Sequence, residues 1–141
     1  MRLALALLVL AGCACDESGK APPPGLRVPV PDGWKASSTA SGLLVGPAGR
    51  VVLQLESTSR PFPEAQAFVD ALEAEGVEIH EKESVETFIG VRYSVDHREA
   101  FLGVRQTGPR TIWCSTTGSA SSEEVEAAMT VCRSLSWDGK E

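Results

Sequence analysis

The sequence is poor in the groups that carry most enzyme chemistry. It has two histidines, His80 and His97, in 141 residues. Neither has a companion at metal-ligand spacing, and no Gly-x-Ser-x-Gly elbow is present, so the usual signatures of zinc sites and serine hydrolases are missing. His80 lies among Glu75, Glu78, Glu81 and Glu83, and His97 within Asp96-His97-Arg98-Glu99. Both read as surface histidines in charged segments, though either could be drafted into a Ser-His-Asp or metal arrangement. Aromatic residues make up 6% of the chain. That leaves no aromatic platform of the kind sugar-acting enzymes use, although acids are plentiful. Acidic residues outnumber basic ones 19 to 13, which argues against nucleic acid, where basic patches are rewarded. No apolar run reaches the roughly 20 residues of a membrane span. The four cysteines contain no Cys-x-x-Cys redox pair. No cofactor is implied, and the expectation is of a protein that is not an enzyme.

What is present is concentrated at the N-terminus. Met1-Arg2 gives a short positive start, Leu3 to Ala11 is an unbroken apolar run, and Ala11-Gly12 is a small-residue step. This is the layout of a secretory signal peptide. Leu10-Ala11-Gly12-Cys13 then resembles the lipobox of bacterial lipoproteins. In that family the cysteine thiol is alkylated by a diacylglycerol and the leader is cut just before it. The resemblance implies residues 1–12 as leader, lipidation at Cys13, acyl chains of the palmitate kind, and a membrane anchor without a span. Two or more chains hold a protein durably where one is marginal. The plain alternative is a conventional signal in which Cys13 is incidental.

Removing the leader takes Arg2 with it and makes the mature chain one unit more negative than the −6 of the whole. Such a body stands off an anionic lipid surface. Ala14 follows the lipidated cysteine where the lipoprotein sorting pattern uses Asp for inner-membrane retention. The expected location is therefore the cell envelope, facing the periplasm, with the outer membrane favoured over the inner. Cys15 is read as idle or variably capped. Residues 13–25 end in Ala-Pro-Pro-Pro-Gly and form a lipidated Pro-rich tether, a semi-rigid spacer of about 3.1 Å per residue.

Residues 26–137 have the size of one domain, followed by a short tail at 138–141. Leu26 to Pro31 suits an edge strand, Pro31-Asp32-Gly33 a turn, and Trp34 a core anchor. Gly42–Gly46 and Val51–Leu55 read as a strand pair around Gly46-Pro47-Ala48-Gly49, with Val51, Leu53 and Leu55 on one face. Pro63-Glu64 opens a helix carrying Ala65, Phe68, Val69 and Leu72 at helical spacing, and Gly76 stops it. Ile89, Val91, Tyr93 and Val95 alternate as a strand. A turn near His97 to Ala100 and another at Gly108-Pro109 lead into strands at Phe101–Arg105 and Arg110–Thr116, completing an antiparallel meander. Ser121-x-x-Glu124 is a capping box for a last helix whose Val125, Ala128, Met129 and Cys132 form one stripe. Leu135 and Trp137 close the domain.

Cys132 lies on that stripe, and Cys114 shares a strand face with Ile112. A helix folded back on its preceding strand joins the two, so a Cys114–Cys132 disulfide is expected, worth about 3 kcal/mol in the chain-entropy model. The Ser115 to Ser122 loop before the helix has the outline of an anion site. It lacks lysine, and Glu123, Glu124 and Glu126 already occupy the positive helix end, so it reads as a capped helix start. An acidic run from Glu73 to Glu86 faces a later series of Arg92, Arg98, Arg105 and Arg110. Together they could form a dipolar surface that steers a partner.

The opening VPVPDGW, the strand pair, the helix from PFPEAQAFVDALEA, the meander and the closing CRSLSW together resemble a PsbP-like domain, the fold of DcrB-type lipoproteins. The resemblance implies an α+β domain with an antiparallel sheet packed between helices, and a binding or assembly role. The sequence reading is thus a lipid-anchored envelope protein acting as a non-catalytic binding or assembly module on an envelope protein partner. The alternatives are a small hydrolase or sugar-acting enzyme, or a small-ligand carrier.

Overall fold

The computed structural model describes residues 25–39 and 42–138. The leader, Cys13, Cys15 and nearly all of the tether lie outside them. Among the described residues the strands are β1 (Leu26–Arg27), β2 (Trp34–Thr39), β3 (Gly42–Pro47), β4 (Leu53–Thr58), β5 (Glu78–Val85), β6 (Phe88–Val95), β7 (Arg98–Thr107), β8 (Arg110–Thr116) and β9 (Ser136–Trp137). The helices are α1 (Ala65–Ala74) and α2 (Ser122–Arg133). Two antiparallel meanders, β2-β3-β4 and β5-β6-β7-β8, join edge to edge where β4 pairs with β8. The result is one seven-stranded antiparallel sheet in the order β2-β3-β4-β8-β7-β6-β5. A separate two-stranded ribbon, β1 with β9, brings the two ends of the domain together.

The turns follow local chemistry. Asp96 and His97 join β6 to β7 with φ of 53° and 65°, the two positive values a type I′ hairpin turn requires. The turn is therefore the two residues Asp96 and His97 where His97 to Ala100 was expected, and β7 begins at Arg98, three residues before the expected Phe101. Gly108, with φ of 54°, followed by Pro109 with φ fixed near −65°, makes the next hairpin turn. Gly46 has a different role. A Cβ there would lie 2.2 Å from the Arg50 carbonyl oxygen, because the chain at Arg50–Val52 folds back across it. That detour starts β4 at Leu53. Val52, not Val51, is fully buried, and Leu53 and Leu55 share their face with Ser57.

Strand alternation divides the core into two clusters on opposite faces. Leu43, Val45, Leu53, Leu55, Phe88, Phe101, Ile112 and Cys114 pack with Val125, Ala128, Met129, Val131, Cys132 and Leu135 from α2 and its end. Each large apolar side chain so buried contributes about 1.5–3 kcal/mol. Ile89, Val91 and Val104 pack with Phe68 and Val69 of α1, with Ala65, Leu72, Tyr93 and Trp113 around them. The capping box at Ser121 and Glu124 is formed as expected. Glu64 caps α1 by accepting from the backbone N–H of Gln66 and Ala67.

Other expectations are corrected. The strand at Leu26 to Pro31 is only Leu26–Arg27, since Pro29 and Pro31 have no N–H to give. Trp34 is partly buried at the edge of the α2-side cluster and is not a central anchor. β2 and β5 were not expected. β2 reads WKASST and β5 reads EIHEKESV, and as edge strands of a sheet both are too polar to carry an apolar alternation.

Candidate functional site

Cys114 and Cys132 are bonded, with their Cα atoms 6.2 Å apart and both residues at 0% exposure. Cys114 faces α2 from β8, between Leu55 of β4 and Gly103 of β7. The pair is a staple between sheet and helix, buried in the core.

The four arginines of the expected surface are each engaged inside the fold. The Arg92 guanidinium bonds the Glu99 carboxylate and lies 3.5 Å from that of Glu81. Arg98 donates to the Gly118 carbonyl. Arg105 donates to the Leu135 carbonyl at 3.1 Å and to the Thr87 hydroxyl. Arg110 donates to the Ser57 hydroxyl at 3.0 Å. The acidic run is drawn in with them, because β5 is the neighbour of β6 and sets Glu81 across from Arg92. Glu83 likewise pairs with Arg133 of α2 at 2.9 Å. Of the expected series only Arg92 meets the acidic run, at Glu81 across the strands, while Glu83 of that run pairs with Arg133 of α2.

The loop before α2 is held by two arginines. Arg98 and Arg50 donate to the carbonyls of Gly118 and Ser119. Arg50 also forks onto Glu124. That contact and the Ser121 backbone N–H hold the Glu124 carboxyl at a pKa of about 2. Glu99 is held below the usual carboxylate range, first by the Ser122 hydroxyl and then by Arg92. His80, at an irregularity of register in β5, shares a hydrogen bond with the Ser94 hydroxyl. His97 sits in the β6–β7 turn. No group of three metal-ligating side chains is found among the described residues. No described helix is long and apolar enough to cross a membrane.

A groove whose lining residues the sequence did not single out lies on the face that α1 partly covers. α1 packs over the β5–β6 end of the sheet, and Phe68 stacks on Trp113 at 5.7 Å. Beyond Trp113 the face opens into a groove of about 360 Å³, within the size range of ligand pockets. Its floor is set by register. Leu44, Gln54, Ser115 and Leu102 stand directly across from one another on β3, β4, β8 and β7. In the next row Glu56 is opposite Trp113. Arg60, exposed in the segment leading to α1, lies 5.9 Å over the Trp113 ring, a cation–π contact. Its backbone is fixed by Thr58 and Thr111. The Trp113 Nε1–H is buried and has no hydrogen-bond partner among the described residues. The one clue in the sequence was Trp113 itself, a tryptophan alternating out of phase with Ile112 and Cys114.

The chain matches no protein-family model, no curated protein and no solved structure.

Proposed function

We propose that this protein is a lipid-anchored module of the cell envelope that works by binding, and that the groove at Trp113 is its binding surface. The observation that carries the binding reading is the groove itself. α1 covers the β5–β6 end of one sheet face, and beyond it the same face carries the Trp113 ring, the Arg60 guanidinium and the Glu56 carboxylate. A concave surface on which Leu44, Leu102 and Trp113 alternate with Gln54, Glu56, Arg60 and Ser115 has the mixed composition of a recognition surface. The envelope location rests on the lipobox at Cys13 and the Pro-rich tether. The buried Cys114–Cys132 disulfide supports it, since disulfides persist in oxidising compartments. The two helical clusters on opposite sheet faces favour a PsbP-like arrangement, an antiparallel sheet between helices.

Two measurements test this. Labelling with an alkyne analogue of palmitate should mark the wild-type protein and leave a Cys13→Ser variant unmarked and unanchored; equal labelling of both contradicts the anchor. Affinity capture from gently solubilised envelopes, comparing wild type with Gln54→Trp, tests the groove. Gln54 is exposed on the floor, so the larger ring fills the groove at little cost to the fold. A companion molecule recovered in near-stoichiometric amount with wild type and lost with Gln54→Trp supports the reading. Identical recoveries from both contradict it.

A further inference from the structure

We infer that β2 is a self-association edge: two copies of this chain pair antiparallel along it, related by a two-fold axis through Ser37. The inference goes beyond the groove and does not depend on it.

The seven-stranded sheet ends in β2 on one side and β5 on the other. An unpaired edge is a template for another strand unless the sequence blunts it. β5 is blunted. Its register shifts between Ile79 and Glu81, and it carries Glu78, Glu81, Lys82 and Glu83. A two-fold centred on Glu81, Lys82 or Glu83 sets that charge against its own copy. β2 is not blunted in this way. Its register with β3 is unbroken from Trp34 to Thr39, it holds no proline, and Lys35 is its single charge.

The ladder fixes which backbone groups of β2 face the open side. The Val45 carbonyl accepts from the Val52 N–H, so the Val45 backbone turns towards β4. Ala36 stands across from Val45 on β2. Residues of such a pair turn their backbones away from each other, and the sense alternates along the strand. The N–H and C=O of Ala36 therefore point outward, and those of Ser38 do the same. Trp34 is in the same phase, but its N–H donates to the Pro31 carbonyl, and that turn closes the edge at Trp34. At the other end Thr39 pairs with Gly42, where β2 gives way to β3. The open strip is residues 35–39, with Ser37 at its centre.

A second copy laid antiparallel on that strip meets no conflict. Ala36 pairs with Ser38 of the second copy and Ser38 with its Ala36, and each pair exchanges two backbone hydrogen bonds. Lys35 falls across from Thr39, and Ser37 across from itself, so no like charges meet. Every side chain of the strip is exposed. The two-fold stands perpendicular to the sheet, which keeps like faces together. Ser37 shares its face with Leu44 of the groove, so the pairing sets two grooves on one side of a continuous sheet, flanking the axis. A strip this short makes a small interface, so the pairing is reversible and its population follows concentration.

The test is disulfide trapping in solution on a chain carrying Cys13→Ser and Cys15→Ser, so that an introduced thiol is the only free one. Ser37 turns its backbone to β3 and faces its copy as a non-hydrogen-bonded pair, with Cα atoms about 4.5 Å apart, within disulfide range. Under mild oxidation Ser37→Cys should form a reducible dimer. Lys35→Cys, on the same exposed strip, should form little, because the two-fold leaves its thiols about 13 Å apart along the strand. On the Ser37→Cys background, Thr39→Glu sets an opposite charge across from Lys35 and Thr39→Lys a like one. Both lose the Thr39 hydroxyl bond to the Gly42 carbonyl, so their difference reads the charge alone. The two-fold repeats the pair, and trapping should be about tenfold faster with Thr39→Glu than with Thr39→Lys. The inference is overturned if Ser37→Cys gives no dimer, if Lys35→Cys is trapped as fast, or if the two Thr39 variants trap at equal or reversed rates. None of these variants changes a residue that lines the groove, so the groove reading is tested separately by Gln54→Trp.

Discussion

Replacing both Cys114 and Cys132 with alanine should cost the domain a large part of its stability. The bond closes a loop with a sequence separation of 18. For a loop of that length the chain-entropy model gives about 3 kcal/mol. Both sulfurs are in the core, at 0% exposure, so their removal leaves a void worth about 1 kcal/mol more. A single domain is stable by only about 5–15 kcal/mol. The double variant should therefore unfold at markedly lower urea, and its Tm should fall by roughly 15–20 °C. Equilibrium urea unfolding followed by far-UV circular dichroism gives the free energy directly. Burial also fixes a kinetic result. A reductant cannot reach the sulfurs in the folded state, so reduction of the wild-type protein should proceed no faster than unfolding. A stability loss under about 1 kcal/mol, or rapid reduction of folded protein, would refute the view of this bond as the staple between β8 and α2.

Three further expectations follow from the packing and the charges. Arg105→Met should destabilise the domain by about 1–2 kcal/mol, because the part-buried Leu135 carbonyl loses its donor; thermal unfolding checks it. Gly103→Ala should cost about 1–3 kcal/mol through overpacking, since a Cβ there would meet the Phe101 ring at 2.4 Å; chemical denaturation against wild type is the assay. Glu124 has a pKa lowered to about 2 by Arg50 and the Ser121 backbone. A depressed carboxylate stabilises above its unfolded value near 4.3 and loses that contribution as pH falls toward 2. Urea midpoints should therefore drop between pH 5 and pH 2, and Glu124→Gln should flatten that drop.

The sequence made some of this architecture legible and hid the rest for physical reasons. α2 was readable because its cap and its stripe agree: Ser121 and Glu124 mark the start, and Val125, Ala128, Met129 and Cys132 give the period. α1 was readable from Ala65, Phe68, Val69 and Leu72, all of which pack in one cluster. The disulfide followed from those faces. β2 and β5 were hidden because edge strands need no apolar alternation, and Glu78 to Val85 passed for a solvated acidic run. The internal partners of the arginine series were hidden for a related reason. With β5 unread as a strand, nothing in the order of residues said that Glu81 would face Arg92. The groove was hidden most completely. It depends on the join of β4 to β8, which aligns Leu44, Gln54, Ser115 and Leu102 from four separate stretches of chain.

The central claim is that this domain works by binding at the uncovered half of its sheet. The most direct measurement is an amide and indole chemical-shift map of the isotope-labelled Cys13→Ser chain during titration with fractionated envelope extract. The account expects the shifts to concentrate at Leu44, Gln54, Leu102, Ser115 and the Trp113 indole, and to vanish in Gln54→Trp. Shifts gathered instead around His80, Ser94 and His97, with the groove residues unmoved, would contradict it.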